Sequence, residues 1–143
     1  MNAKAIQDGP ETTFALVFDD GEEVMSGLQA FAQEHGVTGA HFTAIGAFRE
    51  AVLGFFDLKR KAYDKIAIPE QVEVLALAGN VALHEGKPKV HAHAVVGKRD
   101  GTAHGGHLLR AHVRPTLEVV LVELSRRLQR RTDPKTGLPL LDL

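Results

Sequence analysis

The chain of 143 residues contains no cysteine. That excludes a disulfide framework, a thiolate metal site and a cysteine nucleophile. No apolar run approaches the roughly 18 residues of a membrane span. Met1 to Pro10 carries one lysine and no apolar stretch of the signal-peptide kind. The expected setting is therefore soluble and cytoplasmic, with no membrane partner. Charge of one sign is lacking too: 17 Lys and Arg against 18 Asp and Glu give −1, which offers no global attraction for nucleic acid, whose binding rests on neutralised phosphates. The Gly-x-Ser-x-Gly elbow of a serine hydrolase is missing, as are the glycine-rich loops that cradle phosphates.

What is present suits one domain with one core, large enough to fold without a metal holding it together. Thr12 to Phe18 reads as a first strand, ended by Asp19-Asp20-Gly21. Glu22 to His35 has Val24, Leu28 and Phe31 at helical spacing, acids in its first turn and Gly36 after its end, which predicts a helix. His35 has a structural place at that helix end. From Ala40 onward the pattern turns to β segments: His41 to Phe48, Ala51 to Leu58, Gln71 to His84, Lys89 to Gly97 and Thr116 to Ser125. The runs around Val72 to Val81 and Leu117 to Val122 are apolar enough to be buried on both sides, at the centre of a sheet or at a subunit interface. Gly86-Lys87-Pro88 predicts a hairpin between the third and fourth of these strands. The residues from Arg131 to Leu143 read as a tail that packs on a neighbour.

The densest chemical signal is Val90-His91-Ala92-His93 followed by Gly105-Gly106-His107-Leu108. In a strand His91 and His93 share a face, about 7 Å apart along the backbone. Asp100-Gly101 is a turn signal that folds the chain back and returns a third histidine to the pair. Three neutral imidazoles with an open position suit zinc and related divalent metals. On spacing, His104 rivals His107 as the third ligand; the paired glycines, which permit unusual dihedrals or close backbone approach, favour His107. A single strand histidine is more often a surface or hydrogen-bonded residue than a ligand, and the clustering is what shifts the balance. Arg126, Arg127, Arg130 and Arg131 form a basic cluster without interleaved aromatics, which reads as a solvated face or a pairing surface between subunits.

Taken in order, Gly86, His91-Ala92-His93, Asp100-Gly101 and Gly105-Gly106-His107-Leu108 resemble the PPC family, the plants and prokaryotes conserved domain. The resemblance runs on through Ala44-Ile45-Gly46-Ala47-Phe48-Arg49-Glu50, Ala51-Val52-Leu53-Gly54-Phe55-Phe56-Asp57, Glu73 to Asn80 and Pro115 to Val119. It implies a single α+β domain, a strongly curved and mainly antiparallel sheet with a packed helix, assembled as a homotrimer. It also implies a metal site at His91, His93 and His107, and for prokaryotic members a DNA-binding or regulatory role. Plant members read DNA through an attached Arg-Gly-Arg-Pro hook, which this chain does not contain, so any DNA binding here is expected to be weak and non-specific. The plant partner motif Gly-Arg-Phe-Glu-Ile-Leu-Ser-Leu is also altered, with Gln71 and Val72 at its arginine and aromatic positions. A cupin begins its metal motif in a similar way, but it places a glutamate soon after the second histidine, and Ala94 to Lys98 supplies none.

Two functions follow as expectations. The first is a homotrimeric regulatory protein whose divalent metal, zinc foremost, is structural or senses a small molecule. The alternative is a metal-dependent enzyme acting on a small molecule at the same three histidines. Glu73, Glu118 and His104 are then the candidate general acids or bases, and Arg49 a candidate for an anionic ligand or a structural ion pair.

Overall fold

Glu23 starts the helix with its own side chain, accepting hydrogen bonds from Met25 N at 3.1 Å and Ser26 N at 2.7 Å. Two otherwise orphaned first-turn donors are satisfied in this way. In this computed structural model, which describes residues 1–7, 9 and 11–143, the helix α1 (Val24–Glu34) follows strands β1 (Asn2–Gln7) and β2 (Thr13–Phe18). Seven strands come after it: β3 (Gly39–Asp57), β4 (Ala62–Ile68), β5 (Val72–His84), β6 (Lys87–Gly97), β7 (Ala103–Glu123), β8 (Gln129–Thr132) and β9 (Pro139–Asp142). His35 is the C-cap rather than a last-turn residue, and its Nδ1 lies 3.1 Å from Phe31 O.

The strands form one sheet, with β3 between β5 and β7 and with β6 bridging β5 and β7. All pairings are antiparallel except that β8 runs parallel to β5, so the sheet is mixed. Alternation decides the faces. Val90, Ala92, Ala94 and Val96 of β6 and Leu117, Val119 and Leu121 of β7 point inward, where Val24, Leu28, Phe31 and Ala32 of α1 complete the core. Burying Phe18, Phe31, Phe42 and Phe48 contributes roughly 1.5–3 kcal/mol each.

The opposite face is only partly covered. Ile45, Leu75, Val95 and Val120 are 62%, 56%, 40% and 46% exposed. The apolar strands expected to be buried on both sides are thus buried on one side within a single chain.

Several boundaries differ from the sequence reading. The two segments His41 to Phe48 and Ala51 to Leu58 are one strand, bent by register shifts between Gly46 and Phe48 and between Phe48 and Glu50. The Thr116 to Ser125 segment extends back to Ala103, and β1 and β4 are additional. Glu85 and Gly86 make the β5–β6 turn, with Lys87 and Pro88 already in the ladder. The residues read as a tail instead fold onto their own chain as the β8–β9 hairpin beside β5.

Candidate metal centre

His91 and His93 alternate with the inward-facing Ala92 and therefore lie on the open face of β6. The strand is anchored just upstream by α1: Gln29 Nε2 donates to Pro88 O at 2.6 Å, and Val90 N donates to Gln29 Oε1 at 3.2 Å. After Gly97 the chain reverses through Lys98-Arg99-Asp100-Gly101, where Gly101 N donates to Lys98 O at 2.9 Å. Gly101 has φ +82, a conformation that a Cβ disfavours. Asp100 Oδ1 braces the turn by accepting from Thr102 N at 2.9 Å and Thr102 Oγ1 at 2.6 Å.

The turn sets the β6–β7 register so that His93 pairs directly with His107. Nitrogens of His91, His93 and His107 all lie within 4.8 Å of one another. The three ring centroids are 4.9–5.3 Å apart. His104 pairs with Val96 instead; three residues from His107 along a strand, it belongs to the other face. Of the two glycines, Gly106 answers to close approach, since a Cβ there would sit 2.9 Å from Gly54 O; Gly105 leaves ordinary space.

Two side chains of the centre were not anticipated. Tyr63 of β4 stacks on His107 with centroids 4.7 Å apart and planes at 24°, fixing the imidazole from behind. Arg130 is only 9% exposed and lines a cavity of about 180 Å³ together with Tyr63, Lys89, His91 and His107. It leaves the solvated cluster to which the sequence reading had assigned it. Glu73 and Glu118 are exposed and line a different groove with Ile45 and Leu75. Arg49 is exposed, and among the described residues no ion pair involves it.

The electrostatics favour unprotonated imidazoles. Burial, helped by the charges of His91 and His93, pushes His107 down to about 4. Burial also lowers His91, with Arg130, His93 and Lys89 acting in the same direction. A neutral imidazole is the form that ligates metal.

The residues fit a divalent ion by two measures. His91 Nε2 and His93 Nε2 stand 3.2 Å apart, close to the roughly 3.3 Å edge of a tetrahedron with zinc–nitrogen bonds of about 2.0–2.1 Å. His107 Nδ1 is buried with no hydrogen-bond partner, an arrangement that costs free energy unless a non-protein group compensates it.

Residues 6–125 match the Plants and Prokaryotes Conserved (PCC) domain. A candidate DNA-binding protein from Bacteroides thetaiotaomicron is similar at 32% identity and TM-score 0.88, covering 98% of this chain and 96% of that one. A metal-containing protein from Archaeoglobus fulgidus is similar at 36% identity and TM-score 0.85, over 99% and 97% of the two chains. A plant- and prokaryote-conserved protein from Pyrococcus horikoshii matches at 30% identity and TM-score 0.86, over 92% and 91%. No curated protein matches the chain. With 120 contiguous residues matched and relatives of this similarity along nearly its whole length, the chain belongs to the Plants and Prokaryotes Conserved domain family.

Proposed function

We propose that this chain is a homotrimeric regulatory protein whose His91, His93 and His107 hold one zinc ion, and that the centre senses a small ligand. The observation that carries the reading is the donor geometry, with two Nε2 atoms 3.2 Å apart and a third imidazole within reach. An all-nitrogen set of three suits zinc and leaves a position open. The name of the Archaeoglobus fulgidus relative, a metal-containing protein, points the same way. When bound there, zinc supplies a Lewis-acidic position for water or an anionic oxygen. The histidines hold it, Tyr63 keeps His107 oriented, and the β6–β7 turn keeps the pair in register.

An enzyme would also need a group to move protons. Among the described residues no carboxylate lines the cavity beside His91 and His107, and Glu73, Glu118 and His104 lie elsewhere. The arrangement is therefore better suited to binding than to turnover. Support for the trimer comes from the open face, where Ile45, Leu75, Val95 and Val120 leave apolar surface that association would cover. The Bacteroides thetaiotaomicron relative is named for DNA binding; in this chain DNA is a weak, non-specific partner. Sedimentation equilibrium of the zinc-loaded protein is expected to give three times the chain mass. A monomer at micromolar concentration overturns the assembly, and a trimer that takes up no zinc overturns the centre.

A further inference from the structure

Arg130 is a buried cation without a counter-charge. Its Nη1 donates to Pro139 O at 2.9 Å and its Nη2 donates to Asn80 Oδ1, both neutral acceptors. Its Nε is buried with no partner at all. Among the described residues no carboxylate pairs with it. Such a charge is expensive to keep out of water unless something compensates it.

Arg130 lines a cavity that His91 and His107 also line, with Lys89 as a second cation at the wall. Leu138 and Leu140 supply apolar surface from the β8–β9 hairpin. At about 180 Å³, well above the roughly 10–15 Å³ that a single water needs, the cavity has room for a small molecule. The guanidinium fork matches a carboxylate through two parallel hydrogen bonds. A bare phosphate would leave the leucine wall unused.

We propose that this cavity binds a small aliphatic carboxylate, its charged end on Arg130 with Lys89 nearby, its carbon chain against Leu138 and Leu140, beside the metal centre. The proposal rests on the zinc reading for the neighbouring ion, and it names the class of ligand that the centre senses. Occupancy by zinc and by carboxylate then favour one another, because the ion adds positive charge next to the anion and linkage is reciprocal.

The test is isothermal titration of the full, tag-free chain with isobutyrate and with inorganic phosphate, after its zinc content has been measured. The zinc-loaded protein is expected to bind isobutyrate at least about tenfold more tightly than Arg130→Met does, and more tightly than it binds phosphate. Lys89→Glu, at an exposed position, is expected to lose a similar factor, and it carries the test if Arg130→Met does not fold. Absence of isobutyrate binding, equal binding by the wild type and both variants, or a preference for phosphate overturns the proposal. Loss of the trimer in Arg130→Met, with no isobutyrate binding by the wild type, assigns the compensating carboxylate to a second copy of the chain and also overturns it. A protein that takes up no zinc yet binds isobutyrate through Arg130 supports the cavity and refutes the metal reading alone.

Discussion

His107 lies directly across the β6–β7 ladder from His93, with His91 two residues away on the same strand as His93. All three ligand candidates therefore hang on one hairpin, and their spacing is inherited from its turn. A slip of one residue in that register would send His107 to the opposite face. The Lys98–Gly101 turn is thus a positioning device for a centre it does not touch.

Replacing Gly101, which has φ +82, by valine is expected to cost about 1–3 kcal/mol, the strain of a β-branched residue in that region. Zinc affinity should fall with it. Gly101→Asn should lose less, since asparagine tolerates the left-handed region. Urea unfolding and zinc titration of both variants give the answer, and a valine variant as stable as the wild type contradicts the role assigned to the turn.

Acid sensitivity follows from the position of His107. Its imidazole titrates at about 4 in the fold and at about 6.5 in the unfolded chain. Between those values the unfolded chain binds the extra proton, so stability present above pH 6.5 is lost progressively as the pH falls toward 4. Bound zinc steepens the loss, because protons compete for the same nitrogens. Unfolding midpoints of the metal-free protein and of His107→Gln, measured from pH 7.5 to 4, should converge as the pH drops over this window; parallel curves would show that His107 is not so depressed.

The hairpin and its histidines were legible because their signals are local: period-two alternation in His91-Ala92-His93 and an Asp-Gly pair ahead of the return strand. Tyr63 was not legible, because the turn before β4 carries its positive φ on Lys61, at 51°, rather than on a glycine, so nothing in Lys59-Arg60-Lys61 announces a hairpin. β1 escaped because every residue in it is exposed, so the short Asn2-Ala3-Lys4-Ala5 alternation carries no large apolar side chain that marks a buried face. Arg130 was misread for a different reason. Its burial depends on β8 docking parallel to β5, with His84 opposite Arg130, a contact between residues 46 positions apart that composition cannot reveal. The order of motifs carried the family, whereas the wall of the cavity needed tertiary structure.

Burial of Arg130 also thins the basic face. Arg126, Arg127 and Arg131 stay exposed, and Arg131 pairs with Asp142 at 3.1 Å. DNA retention is therefore expected only at low salt, falling steeply as salt rises because the contacts are counterion-driven. Arg127→Ala with Arg131→Ala should weaken it equally for any sequence. Filter binding across a salt series decides the matter, and sequence-selective, sub-micromolar binding at physiological salt contradicts this expectation.

Elemental analysis of protein purified without an affinity tag tests the three-histidine centre most directly, comparing the wild type with His91→Ala, His93→Ala and His107→Ala after each is shown to be folded by circular dichroism. The wild type should carry about one zinc per chain, the complement of a single His₃ site, and each variant should lose most of it. Equal metal content in all four proteins would contradict the centre and the function built on it.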